Sequence, residues 1–343
     1  MLKAIKLRFS SPVHFGRGRE ELDKSELVYH SDSMKSALYA VGLSMFSEWK
    51  DEKRFHNSFR ISSCFPYAKD EYFLPRPQLK RKIYFGENNE DNAAKKVKKI
   101  EYLEKSVFED FVNCTDGEIL ISPDLITPDG LFVCKNKNTF TRKGDKGEQT
   151  LLTFFRSEVQ QRVSVPKEGD EADSTPFYID RIYFEENCGL YFLAEFDDAE
   201  IEQQVMEALR LLGENGIGTD RTVGNGLFIV ETIANEQDFN LQINSRYGSF
   251  LSLGLFLPTK EEHASIDFDE SAWNLIKRGG YMAGSGNINL MHLRKRSVYM
   301  FREGSVLKAS IELNGKYEDL QPAWNDEEIH PIWRDGQCLL LKI

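Results

Sequence analysis

The chain has 343 residues, 41% of them hydrophobic and 29% charged, enough for two domains or for one domain with a large insertion, and its composition is that of an ordinary globular protein. Five scattered cysteines, Cys64, Cys114, Cys134, Cys188 and Cys338, show no C-x-x-C spacing, which argues against both a disulfide framework and a zinc site. The net charge of −11 counts against a nucleic-acid partner at first sight, yet Arg76 to Lys105 hold nine Lys/Arg against five Asp/Glu, and Ile276 to Lys308 seven against one, so basic patches on an acidic body are expected.

The first element in chain order is "KAIKLRF", which alternates Ala4, Ile5, Leu7 and Phe9 with basic residues as a half-buried strand does. A loop, "SSPVHFGRGREELDKSE", leads to "YHSDSMKSALYAVGLSMF", where Met34, Leu38, Val41 and Met45 fall on one helical face and Ser31 or Ser33 is the expected N-cap. "FRISSCFPY" reads as one strand ended by proline. From about residue 70 to 175 the pattern loosens into an insertion, with the lysine-rich "AAKKVKKIEYLEK" and a polar tract around "NKNTFTRKGDKGEQ".

Regular order resumes with "PFYIDRIYF" and "GLYFLAEF", expected to pair as a hairpin across "EENC". The next helix, "DDAEIEQQVMEALRLLG", has a capping box at Asp197 and Glu200, a stripe of Ile201, Val205, Leu209 and Leu212, and Gly213 as its C′ residue. "GLFIVETI" closes the first half. The order strand, helix, strand, strand, helix, strand predicts a ferredoxin-like (RRM-like) βαββαβ unit over 1–239, interrupted by the insertion. The second half, 240–343, reads as β-rich: a strand in "YGSFLSLGLFLP", a helix in "DESAWNLIKRG", a hairpin in "SVYMFREGSVL" and a strand pair in "HPIWRDGQCLLLKI". The N-terminus lacks the apolar core of a targeting signal, and "FLSLGLFLP" from Phe250 is too short to span a bilayer. The expected compartment is the cytoplasm, with reduced thiols.

Five glycines fall within residues 213–226. The stretch is not a P-loop, because no Gly-Lys-Ser/Thr follows Gly218, and it is not a Rossmann turn, because Arg221 stands where the third glycine is needed. It follows a helix and precedes a strand, so no helix N-terminus points at a bound phosphate. Main-chain N–H groups made accessible by glycine, the Arg221 guanidinium and the hydroxyls of Thr219 and Thr222 still suit a phosphate chain.

Several pieces in order carry a resemblance: "SSPVHFG", "HSDSMKSAL", "ISSCFPY" with "YFLPRP", "KKVKKIEYL", "GIGTDRTVGNGLF", and "REGSVL" followed by "HPIWRDG". Together they resemble the RAMP superfamily of CRISPR-associated proteins, and within it the Cas-five-like subunit of type III-A (Csm) effector complexes. The resemblance implies an α+β fold of two tandem ferredoxin-like units, with the insertion as a β-hairpin thumb. It implies a non-catalytic subunit that holds the 5′ handle of the crRNA and, through the guide, meets target RNA. Its neighbours would be a large polymerase-like subunit and a backbone RAMP subunit rather than copies of itself. No metal and no cofactor are implied. The family loop commonly runs G-x-G-G-x-R-S-x-G-x-G; here Thr219 replaces a glycine, and Thr222 and Val223 stand where serines are common. Carried over to this chain, the RNA-contact candidates are Gly216, Gly218, Arg221, Gly224 and Gly226 of the loop, and His14, Gly16 and Arg17 of "HFGRG", expected beside it. Further candidates are Ser31 and Ser33 at the helix start, Lys80, Arg81 and Lys82 of the insertion, and Arg294, Lys295 and Arg296 of the second half. Tyr281, beside "MAGSGN", is a base-stacking candidate.

Some relatives cleave CRISPR repeat RNA without metal, so His14 and His30 are the candidates for a general acid or base under the alternative reading of an endonuclease. His56, His263, His292 and His330 are too scattered for zinc, and neither a His-Asp doublet nor a GGDD sequence is present. Trp273, Trp324 and Trp333 mark the second half as one that buries large surfaces.

Overall fold

The computed structural model describes residues 2–16, 21–79, 81–84, 93–115, 117–143, 149–151, 153–164, 174–232, 239–245, 248–282, 290, 293–322 and 330–343. The chain begins with β1 (Lys3–Phe9), α1 (Ser31–Gly42), α2 (Glu52–Asn57), β2 (Phe59–Ile61), β3 (Phe65–Ala68) and β4 (Glu71–Pro75). Next come β5 (Lys82–Tyr84), α3 (Ala93–Lys99), β6 (Tyr102–Glu104), α4 (Lys105–Asn113), β7 (Glu118–Leu120), β8 (Phe132–Val133), β9 (Thr141–Lys143) and β10 (Gln149–Leu151). A long pair, β11 (Phe155–Ser164) and β12 (Thr175–Phe184), precedes β13 (Cys188–Phe196), α5 (Ala199–Asn215) and β14 (Phe228–Thr232). The second half holds β15 (Ser249–Ser252), α6 (Lys260–Ser265), β16 (Ile266–Ala272), β17 (Leu275–Arg278), β18 (Val298–Phe301), β19 (Val306–Ala309), β20 (Tyr317–Asp319), β21 (Trp333–Asp335) and β22 (Leu340–Lys342).

The main sheet has the order β14-β1-β13-β3-β4-β6-β8, with β2 also on β13. Its first four positions run antiparallel, the strand order of a βαββαβ unit with α1 and α5 as its two helices. Ile5 and Leu7 of β1 face those helices, packing with Met34, Leu38, Val205 and Leu209, while Ala4 turns to the opposite face. That alternation is the period-2 signal of the sequence made physical. The stripe Ile201, Val205, Leu209 and Leu212 is buried as expected.

Several boundaries differ from the sequence reading. The N-cap of α5 is Asp198, whose side chain accepts from Ile201 N, one residue beyond the expected box. Gly213 lies inside that helix, where a Cβ would strike the Phe228 carbonyl, so it serves helix–strand packing; Gly216 ends the helix at φ +75°. "FRISSCFPY" is two strands: Ser62 N still donates to Leu193 O at 2.8 Å, but Leu193 N donates to the Ser62 hydroxyl at 2.9 Å, which interrupts the ladder.

The insertion is better ordered than its loose pattern suggested. Strands β4, β6 and β8 extend the main sheet, and Phe73, Leu103, Phe108, Phe111, Phe132 and Phe154 build a core on the face away from α1 and α5. Leu251, Leu253, Val306, Leu339 and Ile343 of the second half join that same core.

The hairpin expected between the runs at 176–184 and 189–196 is absent: β12 pairs with β11 in register from Phe155–Phe184 to Ser164–Thr175, and its inner end bonds Val13 in both directions at 2.9 Å. The helix expected at 269–279 is instead strand, since Ile276 pairs with Met300 and Trp273 and Phe268 pack on Phe301, tertiary pairing overriding a weak helical pattern. Strands β18 and β19 do not pair with each other but with β17 and with β15 and β16. Likewise β21 pairs with β20, and β22 with β15. No described helix is long and apolar enough to cross a membrane.

Candidate nucleic-acid interface

The glycine loop is stitched to the loop after β1. Ile217 N bonds Gly226 O at 3.0 Å, Gly226 N bonds Pro12 O at 2.8 Å, and Thr219 N bonds His14 O at 3.0 Å. Leu227 N reaches Ser11 Oγ at 2.9 Å. The two segments expected to be neighbours are therefore neighbours. Three glycines are demanded by the chain itself: a Cβ at Gly216, Gly218 or Gly226 would collide with the carbonyl of Asn225, His14 or Ile217. Gly224, at φ +82°, has nothing within 4 Å of such a Cβ. The outward part is the turn of Arg221, Thr222, Val223 and Gly224, all exposed, together with Thr219. Asp220, in the left-handed region at φ +61°, anchors that turn from below: its carboxylate lies 3.4 Å from Arg181 and 3.7 Å from Arg162 of the β11–β12 ribbon.

His14 is buried, and its Nδ1 donates to Asp180 O at 2.7 Å. The Asp180 carboxylate takes Ser25 N at 2.9 Å and the Ser157 hydroxyl, so His14 is locked to the ribbon base. Gly16 is exposed at the end of the described segment; Arg17, Lys80, His292 and Trp324 lie outside the described residues. His30 is buried between two carboxylates, Glu303 at 2.7 Å and Glu26 at 3.0 Å. Burial alone would lower its pKa, but those two partners outweigh it and hold the ring up at about 9.

His30, not Ser31 or Ser33, is the N-cap of α1, and its side chain makes no cap bond. Ser31 is buried, and its Oγ accepts from Leu255 N at 2.9 Å, which ties α1 to the second half. Ser33 Oγ is half-buried and accepts from Arg278 Nη2 at 2.8 Å. Tyr29 packs its ring 4.9 Å from Phe15 of the 10–16 loop and donates its hydroxyl to Ser33 O at 3.5 Å.

Among the remaining candidates, Arg81 lies in the insertion with its guanidinium 5.9 Å from the Phe111 ring, and Lys82 opens β5. Arg294 bonds the Tyr281 hydroxyl at 3.1 Å and covers its ring at 5.3 Å. Arg296 is spent on backbone, donating to Gln321 O at 2.8 Å. Lys295 is half-buried, and its main-chain N–H bonds Gly280 O at 3.1 Å, two residues beyond Arg278.

Two adjoining clefts went unread in the sequence. One of about 320 Å³ is lined by Arg76, Gln78, Lys98, Tyr102, Asn274 and Arg302; the next, about 210 Å³, reaches Ser25, Ser157 and Asp180 at the ribbon base. Arg302 and Tyr102 line both. Only the local positive charge of the two basic stretches signalled them. Among the described residues, no group of three or more His, Cys, Asp or Glu is placed to hold a metal ion, and all five cysteines are free thiols.

An antiparallel βαββαβ sheet whose last helix-to-strand turn is a glycine-rich loop presenting an arginine defines a class, and sequence comparison agrees with it. Residues 6–229 match the RAMP superfamily, and the chain belongs to that superfamily. Residues 245–343 match the CRISPR Csm4 C-terminal domain. The Csm4 protein of Methanocaldococcus jannaschii is 25% identical across 98% of this chain and 96% of its own length. The Csm4 protein of Thermococcus onnurineus is 27% identical across 73% and 70%. Among solved structures, the chain resembles one in a Csm3–Csm4 subcomplex of the type III-A CRISPR–Cas interference complex, at TM-score 0.67 and 20% identity over 99% of both chains. It also resembles one in a Csm1–Csm4 cassette bound to pppApA, at TM-score 0.61 and 19% identity over 100% and 97%.

Proposed function

We propose that this chain is a non-catalytic, crRNA-binding subunit of a type III-A effector complex. In this reading it holds the 5′ handle of the crRNA and, through the guide, meets target RNA. The observation that carries the proposal is the exposed turn Thr219 to Gly224, held rigid from below by Asp220 and by the 10–16 loop. Arg221 and two threonine hydroxyls there stand ready for phosphate oxygens. Relatives of matching fold occur with Csm3 and with Csm1, and we assign this chain the same kinds of neighbour, a backbone RAMP subunit and a large polymerase-like subunit. The two halves, 1–239 and 240–343, are then tandem ferredoxin-like units, the second reduced to a four-stranded sheet with the short helix α6. The β11–β12 ribbon serves as the thumb, with Val159, Val163 and Tyr178 exposed on one face.

The alternative, metal-independent cleavage of repeat RNA by His14 or His30, has less support. Both imidazoles are buried and bonded inside the fold, whereas a general acid or base must reach the proton it transfers.

The test is affinity purification of the tagged protein from its native host with end-resolved sequencing of the recovered RNA. Short RNAs sharing one 5′ end, arriving with several other proteins and depleted by Arg221→Ala, are the expected result. A protein recovered alone, or one that cuts repeat RNA in EDTA and loses that activity in His14→Ala or His30→Ala, would replace this reading with the nuclease.

A further inference from the structure

Asp32, in the first turn of α1, is fully enclosed and faces two guanidiniums of the second half. Arg278 donates to it through Nε at 2.8 Å and Nη2 at 3.1 Å, and Arg334 through Nη1 at 2.8 Å. Burial alone would raise this carboxyl, but the two arginines hold it well below the usual carboxylate range. One negative charge thus meets two positive ones. Lys295 adds a third: Arg334 and Arg278 repel it, and Asp32 is the carboxylate that attracts it. Its ammonium makes no hydrogen bond or ion pair among the described residues. Burial, then these cations, pull it down to about 7. Glu26 and Glu303 also face Arg278, but both are bonded to the protonated His30, and Arg302 lies 3.8 Å from Glu303. The positive surplus is therefore not cancelled from that side.

A half-buried ammonium beside two guanidiniums is unfavourable alone and is relieved by an anion. Ser33 Oγ accepts from Arg278 at 2.8 Å, and the Tyr29 hydroxyl donates to Ser33 O at 3.5 Å while its ring packs 4.9 Å from Phe15, the side chain that a Cβ at Gly218 would touch, so the cluster adjoins the glycine loop. We propose that Lys295, Arg278 and Ser33 form a phosphate subsite at the head of α1, taking one phosphodiester of the strand that the glycine loop holds. This rests on the RNA-binding reading above. Arg334 acts as a positioning residue, fixing Asp32 and through it Arg278.

The test uses the full chain and Lys295→Gln, which leaves the Asp32 pairs intact. Arg278 variants would bare a buried carboxylate and are avoided. Two readouts are combined: binding of a short labelled single-stranded RNA across a salt series, and amine acylation of Lys295 near neutral pH with and without RNA or inorganic phosphate. Expected are fast acylation of free Lys295, protection by RNA, binding weakened roughly tenfold in Lys295→Gln, a salt slope shallower by about 0.7, and recovery in Lys295→Arg. Unchanged affinity and slope, with Lys295 acylated equally when RNA is bound, overturn the subsite; if Arg221→Ala still weakens binding, the RNA reading survives that failure. If the parent chain binds no RNA while inorganic phosphate protects Lys295, the RNA reading fails and the subsite's phosphodiester assignment falls with it, leaving a free-phosphate site.

Discussion

Gly226 and Gly224 share a left-handed backbone, at φ +74° and +82°, but not their surroundings. A Cβ at Gly226 would strike the Ile217 carbonyl, whereas one at Gly224 meets nothing within 4 Å. Gly226→Ala should therefore cost about 3 kcal/mol of stability, by collision added to backbone strain. Gly224→Ala should cost about 1 kcal/mol, the backbone effect alone; urea unfolding of the two variants separates these cases. His30 gives a prediction with a sign. Its folded pKa of about 9 lies above the ordinary value near 6.5, so its contribution is complete below about pH 6.5 and fades as pH rises through about 9. His30→Gln should then be most destabilised relative to the parent near pH 6, with the gap narrowing by about pH 9.5. A gap that widens with pH would mean that the ring is held neutral.

At the scale of elements, the ribbon and the glycine loop are one mechanical unit, because Asp220 takes Arg181 and Arg162 from β12 and β11. Asp220→Asn keeps a residue tolerant of the left-handed region but removes the charge. Amide exchange should rise across residues 219–225 and at the inner end of β12, with the rest of β1 and α5 unchanged. The same elements show what a sequence reveals. Strand β1 and helix α5 were legible because each has one wet face and one dry face, and the glycine loop was legible because its composition is its geometry. Strand β11 reads FRSEVQQRVS, polar at most positions, so no alternation marks it and the pattern points β12 to β13 instead. Strands of three or four residues in the second half are too short for any period to emerge. The Arg278–Asp32 bond spans 246 positions, and no local pattern encodes a partner at that distance.

Over the whole molecule, α1 is a seam. Asp32 meets Arg278 and Arg334, and Ser31 caps Leu255 N. Lys35 meets Asp335 at 2.8 Å, beside His56 at 2.7 Å. Burial would raise the Asp335 carboxyl, but Lys35 and His56 hold it below its ordinary range. Main-chain bonds cross as well, Ser63 N to Leu253 O at 2.9 Å and Leu339 N to Ile61 O at 3.1 Å. The halves should therefore unfold in one transition by calorimetry, and residues 240–343 expressed alone should lack cooperative unfolding. Asp32→Ala, which strands the buried Arg334 and the half-buried Arg278, should cost about 3–5 kcal/mol; a loss under about 1 kcal/mol would show that water reaches the seam.

That seam also limits how such proteins exchange parts. A chimera that takes residues 1–239 from this chain and the remainder from a relative sharing a quarter of its residues would have every strand it needs. It would still fail wherever the donor lacks cations opposite Asp32 or a carboxylate opposite Lys35. Positions 32, 35, 278, 334 and 335 must be inherited together, so substitutions in the two halves of this lineage are expected to arise as matched sets rather than one at a time.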